Sequence, residues 1–280
     1  MPASRLPLHH VRLGPPGAPT ALFLHGITES CRYFLPRVRG LADAFHLVLP
    51  DLPGFGRSPK PLVAYDTELF ARALEWFLQE TGLDERPIHI VGHSLGAILA
   101  LELAARRPAL VDRLVLLNLP RFSDPASARR IFWDGSPSYR KLLQQHSLRA
   151  NLSQLRRTGF VPAVRNVWGI PLQVLADSRR FTFQSLTSTL ENCLLNYSVD
   201  PVLERAPRRP TLLLHGRRDQ VAPFDRVKEL TSRHDHMELR SFPGSGHHVL
   251  HTHPSACLLL IRAHLSGREL PGADGRGAAS

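Results

Sequence analysis

The chain has 280 residues, enough for one large α/β domain with an insertion or for two small domains, and enough to hide about three quarters of its unfolded surface. Hydrophobic residues make up 43% and charged residues 21%, which excludes a disordered chain. Apolar runs such as 256–261 fall far short of the roughly 18 residues of a membrane span, and residues 1–19 carry Arg5, His9, His10 and Arg12 with no signal-peptide core. The net charge of +11 rests on 35 basic residues, only three of them lysine, against 24 acidic ones. The arginines are scattered, without a nucleic-acid motif or an aromatic–basic stripe, so neither nucleic acid nor membrane is an expected partner. Acidic substrates or partners stay open. Three separated cysteines, Cys31, Cys193 and Cys257, predict reduced thiols in a cytoplasmic protein, with neither a disulfide framework nor a zinc site.

Short apolar runs at 21–24, 46–49, 88–91, 114–117 and 212–214 predict strands buried on both faces of a parallel sheet. Residues 237–242 alternate in polarity, as an exposed edge strand does. Helices are predicted between these runs at 31–44, 67–81, 95–107, 223–234 and 255–266. Pro108 ends the third, and Pro254 stands where the last can start. This alternation implies βαβ units with right-handed crossovers, an α/β fold. Between Pro120 and Pro210 the rhythm stops. Those 89 residues hold helical stretches at 126–133, 138–148 and 184–197 but no convincing strand. A structureless loop of that length is improbable, so the segment is read as a helical insertion. The expected organisation is a core of 1–120 and 207–267, an inserted unit of 121–206 and a flexible tail of 268–280.

Chemistry concentrates at one turn. Residues 88–91 run into Gly92-His93-Ser94-Leu95-Gly96, and a helix follows. A serine on so sharp a strand-to-helix turn is held in a strained conformation with its Oγ clear of the sheet, and its neighbours two places away must be small. The helix start also offers free N–H groups beside the hydroxyl.

With this turn in place, the sequence resembles the α/β-hydrolase fold superfamily, in its serine esterase-like branch with a helical cap, over about residues 6–266. His25-Gly26-Ile27 follows an apolar strand, as the family's oxyanion loop does. Residues 51–58, Asp-Leu-Pro-Gly-Phe-Gly-Arg-Ser, match a motif common in these hydrolases. Asp219 lies after a later strand, and His247 follows in Gly246-His247, with Pro254 seven residues on. The order Ser, acid, His is the family's own. The resemblance implies a mostly parallel, doubly wound sheet of about seven to eight strands with an inserted helical cap. It makes Ser94 the nucleophile, His247 the general base and Asp219 the acid that orients it. The backbone N–H groups of Ile27 and Leu95 become the oxyanion donors. No metal or organic cofactor is called for.

Alternatives exist at several positions. His248 adjoins His247, and the spacing to Pro254 favours His247. Some relatives place the acid after the preceding strand, where this chain has Asn118. The family often has a glutamate five residues after the histidine; here Thr252 stands there. His25, His93 and His215 flank motif glycines and are read as structural, and Asp51 as a loop-organising carboxylate.

By resemblance, residues 121–206 form a lid that shapes the acyl pocket. This lid carries Phe122, Phe132, Trp133, Tyr139, Phe160, Trp168, Phe181, Phe183 and Tyr197. Between Arg121 and Asp200 stand eleven basic and five acidic residues, a surplus that reads as a solvated face or as a dock for an anionic substrate or acidic partner. Superfamily membership does not fix the substrate. Haloalkane dehalogenases and related epoxide hydrolases use an aspartate where this chain has Ser94. The expected reaction is ester hydrolysis through an acyl-serine, with a small-molecule ester as substrate. A thioester or acyl-carrier-protein ester is the alternative, and a non-catalytic ligand-binding protein on the same scaffold is the alternative of another class.

Overall fold

The computed structural model describes residues 2–134, 177 and 180–271, without the side chains of residues 132–134. Seven strands form one sheet in the order β1-β3-β2-β4-β5-β6-β7. They are β1 (His10–Leu13), β2 (Thr20–Leu24), β3 (His46–Pro50), β4 (Ile88–His93), β5 (Val111–Leu117), β6 (Thr211–Gly216) and β7 (Met237–Phe242). All pairings are parallel except that of β1 with β3. The apolar runs fall on β2 to β6, and the alternating run is the edge strand β7. β1 was not anticipated. It lies at the other edge, too short and too mixed in polarity (His-Val-Arg-Leu) to stand out.

The apolar strands are continuous because both faces are covered, and their side chains divide with a period of two. Leu22 and Leu24 of β2, Ile90 of β4 and Leu114 and Leu116 of β5 enter one buried cluster. Ala21, Phe23, Val91, Val115 and Leu117 enter the other. Against the first face pack α2 (Thr67–Glu80), α3 (Leu95–Arg106) and α7 (Phe224–Arg233); against the second pack α1 (Leu35–Val38), α8 (Val249–Thr252) and α9 (Pro254–Leu265). In α2 the Asp66 carboxylate caps the Leu69 N–H, and Phe70, Leu74, Phe77 and Leu78 form the buried stripe. The helix expected at 31–44 is instead three short turns, Cys31–Tyr33, α1 and Arg39–Leu41; Pro36 fits the first turn of α1 but, lacking an N–H, cannot continue a helix begun at Cys31.

Of residues 121–206, the two ends are described: α4 (Pro125–Asp134) on one side, and α5 (Phe183–Thr189), a π-helical turn at Leu190–Leu195 and α6 (Asp200–Arg205) on the other. The stretch expected as one helix at 184–197 thus changes winding midway, where Asn192 Nδ2 donates to the Tyr65 carbonyl at 3.3 Å. The helix expected at 138–148 lies outside the described residues, as do Tyr139, Phe160 and Trp168. Arg121 fixes the base of this segment. Its buried guanidinium donates to Asp200 at 2.6 Å and 3.2 Å, and to Glu229 and the Arg226 carbonyl of α7 at 2.8 Å each. At the far end of the chain Leu270 packs onto the second cluster, while residues 272–280 lie outside the described part. Cys31, Cys193 and Cys257 are free and buried. Among the described residues no helix is long and apolar enough to cross a membrane.

His264 of α9 is buried under the sheet and donates from Nε2 to the Pro210 carbonyl at 3.2 Å. Burial lowers its pKa to about 4, against about 6.5 in the unfolded chain. Between those values the unfolded state binds the extra proton, so its stabilising contribution is complete above pH 6.5 and is lost as the pH falls toward 4. A shift of this size corresponds to roughly 3 kcal/mol. Urea denaturation at pH 7 and pH 4.5 should therefore show a smaller acid loss for His264→Gln, which keeps a donor, than for the parent chain. Equal losses would contradict this origin of the acid sensitivity.

Candidate active site

The chain leaves β2 for β3 on one side and, by way of α2, reaches β4 on the other. The carboxyl ends of β2 and β4 therefore meet at the topological switch point of the sheet, where open α/β sheets bind ligands. β4 ends at His93 and α3 begins at Leu95, so Ser94 alone makes the turn. Its φ of 52° and ψ of −116° lie outside the common regions for a non-glycine residue. Two glycines permit this crossing. A Cβ on Gly92 would come within 2.2 Å of the Gly96 carbonyl oxygen, and one on Gly96 within 1.9 Å of that of Leu24. The Ser94 N–H donates to the Leu117 carbonyl at 3.0 Å, tying the turn to β5. Because α3 starts at Leu95, its first N–H groups have no partner within the helix.

Ser94, Asp219 and His247 come from three separate loops and converge. Ser94 Oγ stands 3.0 Å from His247 Nε2, and His247 Nδ1 stands 2.8 Å from Asp219 Oδ2. The carboxylate fixes the tautomer: His247 Nδ1–H donates to Asp219, which leaves the Nε2 lone pair to accept the Ser94 hydroxyl proton. Asp219 is itself held. Its Oδ1 accepts from the N–H groups of Val221 and Ala222 at 2.8 and 2.9 Å, and Oδ2 from Asn118 Nδ2 at 2.7 Å. Burial alone would raise the carboxyl's pKa, but the attraction of His247 and its hydrogen bond pull it down to about 2. The arrangement thus holds a hydroxyl, a proton acceptor and a permanent anion in line.

The remaining motif residues have distinct places. Asn118, the position where some relatives carry the acid, instead supports Asp219, and it also donates to the Gly246 carbonyl at 3.2 Å. His248 points away from Ser94, stacking toward Tyr33 and His93. Thr252 Oγ1 lies 2.6 Å from Ser245 Oγ and steadies the loop that carries His247. His25 bridges two loops: Nδ1 donates to the Gly26 carbonyl at 2.8 Å, and Nε2 accepts the Leu52 N–H at 2.9 Å. His215 Nε2 donates to the Ala222 carbonyl at 2.8 Å, and burial keeps its pKa low. Asp51 organises its loop, accepting the N–H groups of Cys31 and Arg57 at 2.6 and 2.7 Å and lying 3.0 Å from His9 Nδ1.

One group was not singled out from the sequence. Glu29, buried, accepts the Gly26 N–H at 2.6 Å and lies 3.1 Å from His93 Nδ1, while His93 Nε2 donates to the His247 carbonyl at 2.9 Å. Desolvation opposes charge on His93, but Glu29 outweighs it and raises the pKa. A glutamate three residues after a loop glycine carries no periodic or motif signal, so only the fold reveals its partner.

Of the eleven basic residues noted between Arg121 and Arg180, four have described side chains. Three of them pair internally: Arg121 as above, Arg129 with Glu191 at 2.5 Å and Arg180 with Asp177 at 3.5 Å. Asp177 also takes Arg32 at 3.1 Å and the Ser30 hydroxyl. Arg130 is exposed, and the others lie outside the described residues.

A sheet with this switch point, a serine on this turn and this order of elements define a class of enzyme scaffold, and comparison with known proteins agrees. A family model described as the alpha/beta hydrolase fold matches residues 19–254, and the chain belongs to that family; it is a hydrolase of the α/β-hydrolase superfamily. The chain is 30% identical over 254 residues to the "Putative carbamate hydrolase RutD" of Pseudomonas syringae pv. syringae, covering 89% of this chain and 94% of that one. It is 29% identical over 286 residues to epoxide hydrolase 3 of Mus musculus, covering 90% and 72%. Among solved structures it is similar in fold to a hydrolase of Pseudomonas aeruginosa PA01, with a TM-score of 0.74, 21% identity and coverage of 92% and 94%.

The contact of Gly96 with β2 makes a sharp prediction. Gly96→Ala should lower stability by at least about 3 kcal/mol, the upper range for an overpacked core, as measured by urea denaturation. A loss below about 1 kcal/mol would mean that α3 can move away from β2 at little cost.

Proposed function

We propose that the protein hydrolyses a carboxylic ester through an acyl-serine intermediate, with Ser94 as nucleophile, His247 as base and Asp219 as the orienting acid. The observation that carries this reading is the unbroken chain of hydrogen bonds from Ser94 through His247 to Asp219, begun at a serine whose backbone is held in a strained turn. As Ser94 Oγ attacks the carbonyl carbon, His247 Nε2 takes its proton, and Asp219 stabilises the imidazolium. The N–H groups of Ile27 and Leu95 receive the charge that develops on the carbonyl oxygen. His247 then returns the proton to the departing alkoxide. Water repeats the sequence on the acyl-serine, giving the acid and regenerating the Ser94 hydroxyl. Residues 121–206 serve as the cap over this site, with the Arg121 cluster as its anchor, and a thioester would pass through the same steps.

The relatives bear on the choice of bond. In this reading a carbamate, named for one relative, presents the same carbonyl to the same serine. An epoxide, named for the other, needs a nucleophile that leaves an ester hydrolysable at its own carbonyl, which a serine hydroxyl does not provide.

Intact mass after exposure to a fluorophosphonate tests the nucleophile without a choice of substrate. One adduct is expected on the parent chain and none on Ser94→Ala; a folded parent chain that takes no adduct would overturn the reading in favour of a non-catalytic binding protein. On a panel of acyl esters, thioesters, carbamates and epoxides, ester turnover is expected to dominate. Asp219→Asn should lower kcat by about four orders of magnitude, because the imidazole then loses its enforced tautomer. A loss of less than tenfold would remove Asp219 from the assigned role.

A further inference from the structure

Three side chains behind the Ser94 turn form a constellation that ester hydrolysis does not require. Glu29 comes from the loop after β2, His93 from the end of β4 and His248 from the loop before α8. All three are at least nine-tenths buried, and one ligand-type atom from each lies within 4.8 Å of the others. Glu29 Oε1 is 3.1 Å from His93 Nδ1 and 3.9 Å from His248 Nδ1. Two ligands on one tetrahedral metal at ordinary Zn–N and Zn–O distances stand about 3.4 Å apart, a separation that these two values bracket.

The ligand-type atoms also face one another. His93 Nε2–H is committed to the His247 carbonyl, the outer contact that metal-ligating histidines usually make, while Nδ1–H points at the Glu29 carboxylate, 3.1 Å from each oxygen, so an ion there would take the place of that proton. Glu29 Oε2 accepts the Gly26 N–H and also faces His93 Nδ1, whereas Oε1 lies toward both imidazoles. His248 Nδ1 is buried without a hydrogen-bond partner, a costly state for a polar atom. A carboxylate with two imidazoles suits zinc and its neighbours rather than calcium or magnesium.

We propose that Glu29, His93 and His248 bind one divalent transition metal ion of the zinc type, at a site separate from the Ser94–His247–Asp219 chain, with water in the fourth position. Binding exchanges the His93 Nδ1 proton, released to solvent, for the metal. The ion cross-links the loop after β2, the end of β4 and the His247 loop, so it favours the folded state by mass action. Neither the proposal nor its readout depends on the bond that Ser94 cleaves.

The test is titration of the chelator-treated full chain with Zn2+, followed by calorimetry and by thermal unfolding. One tight site per chain is expected, with a Tm that rises with Zn2+. His248→Phe, which keeps the ring and loses the ligand, should weaken binding by at least about a hundredfold while leaving fluorophosphonate labelling of Ser94 unchanged. Co2+ supplies a readout that survives a misfolded variant. Intense visible bands of a four- or five-coordinate ion are expected for the buried site. Weak octahedral bands, an absence of binding, or equal binding by the parent chain and a folded His248→Phe would overturn the proposal and leave only surface histidines as ligands.

Discussion

The contact on which the site depends is the one between α3 and the backbone of β2 at Gly96. Were the helix to stand a methyl group further off, Ser94 would no longer sit at an abrupt turn, and its hydroxyl would sink toward the sheet. The strain at Ser94 persists because both flanks are pinned: β4 is central in the sheet, and α3 is buried along almost its whole length. Strained backbone of this kind survives only where its surroundings over-determine it. The other two members of the constellation need no strain. They stand at loop ends after β6 and β7, where alternative conformations cost less, and hydrogen bonds set them in place.

Much of this was legible in the chain because buried parallel strands announce themselves. The runs at β2 to β6 are apolar on both faces, and the helices between them carry their own caps and prolines. Ser94, Asp219 and His247 were readable because each follows a strand in a fixed order. What was hidden depends on partners distant in sequence. β1 has four residues of mixed polarity and owes its existence to β3. The first helix breaks into short turns because Pro36 falls inside it. Asn118 could be seen as a place where an acid was missing, but its role as a clamp on Asp219 needs a separation of 101 residues to close. Glu29 and His93 are 64 residues apart and meet only because β2 and β4 are neighbours.

Three arginines of the basic segment show how charge that reads as surface in a sequence can be used inside a fold. Arg121, Arg129 and Arg180 suggested an outward-facing positive surface, yet each is bound to carboxylates of this chain. Arg121 spends both edges of its guanidinium on α6 and α7, a use that lysine, with one ammonium head, could not reproduce. The ends of the segment from 121 to 206 are thereby fastened to the core by directed charge pairs, and by Asn192 and Ser188 on the backbone of Tyr65.

The three cysteines give the molecule a built-in set of stability reporters. Cys31 lies beside Asp51 in the loop before α1, Cys193 in the π-helical turn that rests on Tyr65, and Cys257 on α9 under the opposite face of the sheet. Burial pushes the thiols of Cys31 and Cys257 up to about 12 and that of Cys193 higher still, so in the closed state none presents a thiolate at neutral pH. Each becomes reactive only when its own region opens. The rates at which a thiol reagent reaches the three positions would therefore separate local opening of the segment that rests on Tyr65 from opening of the opposite face of the core, where Cys31 and Cys257 both lie, with no label introduced into the chain.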